Sequence, residues 1–575
     1  MIRGKTSSKS TFIVYRLLLL AGMLSLVAVC IFCCFYLFSN HELLVAWYTG
    51  LNPCFYHADT WNTDFFTPGI KSDGNMYCGI GLVLSAGGVA LLLKKLIYNK
   101  SNINDHVGVN INKWDVPYIL ICVFAAVGLW LWGNNNALAA FDEVFSAQHI
   151  ADIHPFQGVS YYMLPNNHLF FNFLNNTFFH YVTDKVMTGR IISLVAYCAT
   201  LVTLYFALIP LVKYRWLSLL MCLTLALQFF VWGFSFQARG YELYLLAEWG
   251  MFISLLAYIK SGNRSWLHLN VLSIAVGYFC LPSFLYFHAA QLLFMALYGI
   301  IYKRKETSFW KYQAIAILAT YICYLPTLSF SGIESITNNG YVAPSKAQTI
   351  TLFWQGSWPM VKVYFAHIFS DMHLGIADTT LLLLSLPIIL ITARRQKILA
   401  LSGMFYLCLW VTFFLITSVM KRAPFERNLI GHYSMSLAGV LVFLHWLMGT
   451  FRANNDRNVP RLIIFPVVLL AFSAYFLLTN EKLLKDTLYE YNVNEVYIFH
   501  KDRLSIIPPG STVGFSDAEF YSYYLCRKNS CVVNKCPDGS EDYFVTQDNE
   551  GYPIWLEDNY RLVDKKYNYE IYKRK

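Results

Sequence analysis

Residues 17–38 read LLLLAGMLSLVAVCIFCCFYLF, an unbroken run with no charged side chain. The hydrocarbon core of a bilayer is crossed by about 20 such residues wound as one helix. The run is too long for a signal-peptide core and has no clear small-x-small cleavage site, so it reads as a retained first membrane helix. Val116–Gly133 repeats the pattern, and so does Leu381–Thr392 with its flanks. Only 14% of the 575 residues are charged and 57% are hydrophobic, whereas a soluble domain carries about 25% charged residues. Aromatic residues make up 17%, an excess suited to the interface belts at the two water boundaries.

The formal net charge is +10. In a soluble protein that balance would suggest nucleic acid. Here the cations cluster in short loops between apolar runs, as the positive-inside rule requires, so no nucleic-acid partner is expected. Arg3, Lys5, Lys9 and Arg16 place the N-terminus in the cytoplasm. Basic loops at 94–100, 213–215, 260–264, 303–305, 394–397 and 452–461 then fall on that same face. The predicted class is mainly α: a polytopic transmembrane bundle of about thirteen helices with a small outer C-terminal α/β domain. Residues 1–115 form two N-terminal helices with an outer loop. Residues 116–480 form the membrane core, with large outer loops at 134–188 and 331–375. Residues 481–575 form the soluble domain.

In that last segment Thr512–Phe515, Cys531–Asn534 and Tyr543–Thr546 read as short strands. Ser516 and Glu519 have capping-box spacing and predict a helix through Tyr524. Cys526, Cys531 and Cys536 lack the fourth ligand of a zinc site. An oxidising compartment favours a disulfide among them, whose pairing the sequence does not give. Cys54 and Cys78 are candidates for another. Nine of the fourteen cysteines sit in apolar runs and behave there as small hydrophobes.

Ionisable residues at membrane edges are costly, which makes them candidates for function. AAFDEVF at 139–145 puts Asp142 and Glu143 just past the third helix. Adjacent helical residues diverge by about 100°, so one carboxylate acts and the other is structural or secondary. The alternative is a hydrated helix end. PNNHLFFN at 165–172 sets Asn167 and His168 among aromatics. It suits a site that grips hydroxyls over apolar walls, or an interfacial helix with one wet face. QARGYE at 237–242 places Arg239 and Glu242 on one helix face. They neutralise each other, or Arg239 holds a phosphate. Glu248, deeper in that helix, needs a partner or a water-filled cavity, and a structural hydrogen bond is its commoner fate. KRAPFERN at 421–428 breaks the charge rule by placing Lys421, Arg422 and Arg427 outside. Such cations suit a phosphodiester, or they snorkel to lipid headgroups.

These four features, in this order, resemble the membrane-embedded glycosyltransferases of the GT-C superfold, the group of protein O-mannosyltransferases and lipid A aminoarabinose transferases. The family's acidic pair corresponds to Asp142-Glu143 and its Asn-x-His-Pro-Leu-Tyr element to Asn167–Phe170, without the proline and with Phe for Tyr. The Gly-Arg that opens the next helix is Gly189-Arg190. The Ala-Arg-x-Tyr-x-Leu element is Ala238–Leu243, and the late Pro-x-Glu-Arg-Tyr element is Pro424–Asn428, with Asn for Tyr. The resemblance spans roughly residues 116–480 and leaves helices 1 and 2 as an addition.

The resemblance implies inverting transfer of a sugar from a polyprenyl-phosphate donor to a hydroxyl of a lipid, glycan or protein. Asp142 is then the general base and Glu143 the fallback. Arg239, Arg427, Lys421 and Arg422 bind the donor phosphate, while Asn167, His168, Tyr241 and Glu242 contact substrate. It implies membrane lipids as partners, no required cofactor and an extracytoplasmic site in a bacterial inner membrane. A divalent metal near the acidic pair has no supporting ligand spacing. The competing readings are a lipid-linked-sugar flippase, or an O-antigen ligase or polymerase. The sugar, the acceptor and the closest subfamily are not legible.

Overall fold

The fold is described from a computed structural model. It covers the chain except residues 1–6, 56–57, 59, 99–111, 138, 163–166, 180, 183, 338–346, 348, 367, 369–396, 451–458, 494–501, 517–519, 548–551 and 567–568. The predicted helix through Leu381–Thr392, the basic residues 394–395 and 452, Pro165-Asn166 and Glu519 therefore lie outside the described residues.

Among the described residues, ten helices are long and apolar enough to cross a membrane. Two further predicted spans are apolar but shorter, Arg215–Ala226 and Ser265–Cys280. Both are cut short for a visible reason. After Ala226 the chain turns at Gln228, whose amide donates to the carbonyls of Ile368 and Tyr433 at 2.8 and 3.2 Å. At the other break Pro282 drives Leu281 into an extended conformation, φ −149° and ψ 129°.

The helix Asp115–Asn136 sets the two faces of the bundle. At its start Asp115 accepts from Tyr205 Oη at 2.6 Å and ion-pairs with Arg215. The charge-rich loop after Val212 thus marks that end. A helix of 22 residues is ~33 Å long, so Asn136 and the segment after it lie at the opposite end. That segment is built of short helices, Phe141–Ser146, Ala147–Ala151, Pro155–Ser160 and Leu169–Phe178. An aromatic stack holds the segment between the first two long helices against the helix Thr307–Phe330. Tyr48 lies 4.1 Å from Trp61 and Trp61 lies 5.0 Å from Phe66, with Phe330 beside them.

The last long helix, Val459–Val493, runs thirteen residues beyond the expected boundary at 480. The domain after it holds a five-stranded sheet: β1 Thr512–Phe515, β2 Val532–Asn534, β3 Tyr543–Gln547, β4 Tyr560–Lys566 and β5 Tyr569–Arg574. Their order is β2-β1-β3-β5-β4. β1 runs parallel to β2 and β3, with Gly514 opposite Phe544, and β3 pairs antiparallel with β5. Sequence reading missed β4 and β5, whose charged residues hide the alternation. The helix after β1 is Phe520–Lys528 and ends four residues beyond the expected Tyr524.

The cysteines pair otherwise than expected. Cys536 bonds Cys54, 482 residues away. Cys526 and Cys531 are free and buried inside the sheet domain, and Cys78 is a buried thiol beside Ser329 Oγ at 3.2 Å. A spacing of five suggests a local bridge, but the fold uses the short helix and β2 to send Cys536 outward to the first loop.

Candidate active site

The acidic pair divides its roles, and Glu143 is the fixed member. Its side chain is buried. Oε1 accepts from Arg190 Nε at 3.0 Å and from the Ala238 amide at 2.6 Å. Oε2 accepts from Arg190 Nη2 at 3.1 Å and from the Ala140 amide at 2.7 Å. One carboxylate thereby joins the Phe141–Ser146 helix, the helix Lys185–Val212 and the loop before Tyr241. Sequence reasoning gave Arg190 no role. Its one signal was the Gly189-Arg190 dipeptide. Gly189 is needed because a Cβ there would stand 2.7 Å from the Ala238 Cβ, in the loop that Glu143 holds.

Asp142, one residue earlier, turns away as the helical angle requires. Its side chain is 35% exposed. Oδ2 faces Arg239 Nη2 at 3.4 Å and Arg427 Nη1 at 3.3 Å. Arg239 also donates to the Asp142 carbonyl at 3.2 Å and is 2% exposed. Ser193 Oγ fixes its loop by donating to the carbonyls of Gln237 and Arg239 at 2.6 and 3.1 Å. Arg427 is more open, with its guanidinium 4.9 Å from the Phe425 ring. Three segments distant in sequence therefore converge on one carboxylate oxygen.

His168 borders this group, its ring 4.7 Å from Tyr241 and nearly perpendicular to it. Neither ring nitrogen has a hydrogen-bond partner. Burial, and then the charges of Arg239 and Arg427, hold its pKa well below that of an ordinary histidine, so the ring is neutral. A Cβ at Gly240 would stand 2.8 Å from His168 Nδ1, so glycine lets the loop pass the imidazole. Tyr241 opens its helix between His168 and Phe234, with the Arg239 guanidinium 5.6 Å from its ring.

The other predicted residues go elsewhere. The Asn167 amide donates to the carbonyls of Gly158 and Tyr161 at 2.9 and 2.8 Å and accepts from Asn172 at 3.0 Å, which shapes the loop. Glu242 does not neutralise Arg239. It is fully buried, with no hydrogen-bond partner on either oxygen, and Arg239 pairs with Asp142 instead. Glu248 lies against Gly431, at the first turn of the helix Ile430–Thr450. Lys421 donates to the Ala347 carbonyl at 2.9 Å and Arg422 to the Thr337 carbonyl. Both therefore brace the segment after residue 330. Among the described residues no three His, Cys, Asp or Glu side chains are grouped as metal ligands. A cavity of about 790 Å³ lies between Arg215, Trp249, Lys260 and Tyr406, and none of the candidate residues lines it.

The sheet domain reaches this region. Asp152, the residue directly after the Ala147–Ala151 segment, ion-pairs with Lys535 at 2.7 Å and Arg527 at 3.2 Å. Lys535 also donates to the Gln148 carbonyl at 2.9 Å, and its neighbour Cys536 carries the bond to Cys54.

No protein-family profile matches the chain, and no curated protein matches its sequence. Solved structures do resemble it. ArnT from Cupriavidus metallidurans, solved bound to undecaprenyl phosphate, is similar at 11% identity and a TM-score of 0.44, over 80% of this chain and 98% of that one. The archaeal oligosaccharyltransferase AglB from Archaeoglobus fulgidus, in complex with an inhibitory peptide and a dolichol-phosphate, is similar at 9% identity and a TM-score of 0.41, over 76% and 69%. The arabinosyltransferase EmbB from Mycobacterium smegmatis is similar at 10% identity and a TM-score of 0.44, over 86% of this chain and 49% of that one.

Proposed function

We propose that this chain is a membrane glycosyltransferase that moves a sugar from a polyprenyl-phosphate donor to an acceptor hydroxyl at the extracytoplasmic face. The observation that carries the reading is the convergence of Arg239 and Arg427 on Asp142, beside a neutral His168, at a bundle end away from the basic loop at 213–215. The carboxylate is the general base. It takes the proton of the acceptor hydroxyl as that oxygen bonds the anomeric carbon, and the carbon's bond to the phosphate oxygen breaks on the opposite face, with inversion. The electron pair leaves on the lipid phosphate. A phosphodiester with one negative charge becomes a monoester approaching two, and Arg239 and Arg427 meet that increase with fixed positive charge. His168 and Tyr241 bound the sugar from the protein side. The aliphatic tail follows the bilayer between helices.

The test is transfer by the purified protein in lipid discs, supplied with polyprenyl-phosphate sugars and with lipid, glycan and peptide acceptors. The wild type transfers, and Asp142→Asn is slower by about 10²–10⁴. Equal rates would remove Asp142 as the base. Movement of intact lipid-linked sugar across the bilayer without transfer would make the chain a flippase.

A further inference from the structure

We infer that Asp142 competes with the donor phosphate for Arg239 and Arg427 and is released as a base only when the donor arrives. The inference rests on the function proposed above and adds an order to it, donor before acceptor. The geometry of the two carboxylates argues for it. Glu143 is fully buried and takes four hydrogen bonds of 2.6–3.1 Å on both oxygens, so it is a fixture. The contacts of Asp142 with Arg239 and Arg427 both fall on Oδ2 and are longer, at 3.4 and 3.3 Å. Charge-assisted bonds of this kind close to about 2.7–2.9 Å when they are tight. The Asp142 side chain is 35% exposed and that of Arg427 41%. A pair so loose and so wet is exchangeable.

The two arginines cannot serve an anion of the substrate and the Asp142 oxygen at full strength together. A phosphate offers several oxygens to two guanidinium groups and matches their planar donors better than one shared carboxylate oxygen does. When the phosphate takes Arg239 and Arg427, Asp142 Oδ2 loses its partners and becomes available to an acceptor hydroxyl. Without the donor the same oxygen stays engaged. Buried Arg239 keeps the anchor in place, while exposed Arg427 on the loop before the Ile430–Thr450 helix is the side free to adjust.

A base held well away from Arg239 and Arg427 would change donor affinity little when it is neutralised. A carboxylate that competes with the phosphate predicts tighter binding. The measurement is calorimetric titration of the detergent-solubilised full chain with a polyprenyl monophosphate, and with the uncharged polyprenol as control. Asp142→Asn is expected to bind the phosphate about three- to tenfold more tightly than wild type, the competing pair being a weak one. Asp142→Glu, which keeps the charge, is expected to stay near wild type. Asp142→Ser removes the same charge and serves if the Asn variant does not fold. Unchanged or weaker binding by the neutral variants would overturn the inference and leave the proposed function standing. Equal tightening toward the polyprenol would overturn it too, since no charge would be involved. Absence of phosphate binding by every protein, wild type included, would overturn both.

Discussion

Arg190 and Glu143, 47 residues apart in the chain, face each other side-on through two bonds of 3.0 and 3.1 Å. Both are buried, so removing either partner leaves the other's charge without compensation. Glu143→Gln or Arg190→Gln should each destabilise the protein by about 3–5 kcal/mol, read as a fall in melting temperature in detergent. The double variant should lose less than the sum of the two, because no orphan charge remains. Additive losses would show that the pair is not the joint between the acidic helix and its neighbours.

His168 makes stability depend on pH. Its folded pKa is far below the ordinary 6.5, so below pH 6.5 the unfolded chain takes up a proton that the folded chain refuses. Stability is therefore intact above pH 6.5 and falls as the pH drops toward the folded pKa, by about 1.4 kcal/mol per unit. Unfolding followed from pH 7.5 to 5 should show this slope in the wild type and lose it in His168→Leu. An equal slope in both would assign the effect to other groups.

Arg427 and Arg422 sit five residues apart and should behave differently. Arg427→Gln removes a partner of Asp142 and should weaken polyprenyl-phosphate binding and transfer about tenfold or more. Arg422→Gln removes a donor to the Thr337 carbonyl and should leave both within about threefold, in line with a surface polar contact. The reverse ranking would mean that the donor lies further along the 421–428 segment.

The disulfide and the Asp152 ion pairs hold the sheet domain to two different interhelical segments independently. Cys54→Ser should cost about 2–4 kcal/mol, and Asp152→Asn should add to it. Limited proteolysis should release the sheet domain faster from the first variant and fastest from the double. Equal release from the wild type would mean that packing alone holds the domain.

Gly431 lies against the Glu248 carboxylate. Gly431→Ala should therefore cost about 1–3 kcal/mol through overpacking, and adding Glu248→Ala should relieve part of that. No relief would place the strain in the helix backbone instead.

The sequence by itself determined that the chain crosses a membrane repeatedly, because runs such as Leu17–Phe38 satisfy that requirement locally. It also marked Asp142, Arg239 and Arg427 as unusual, since a charge at a helix end is visible without knowing its neighbours. Beyond the angle between them, only the family resemblance favoured Asp142 over Glu143. The different surroundings of the two came from Arg190 and the amides of Ala140 and Ala238, which meet Glu143 only when three segments fold together. The sequence could not separate Arg427 from Lys421 and Arg422, three cations alike in composition and sent to different partners by the turn at Pro424. Cys54–Cys536 is the plainest case. Apolar periodicity is a property of neighbouring residues and can be read along a line, whereas a bond across 482 residues exists only where tertiary packing brings two distant loops to one place.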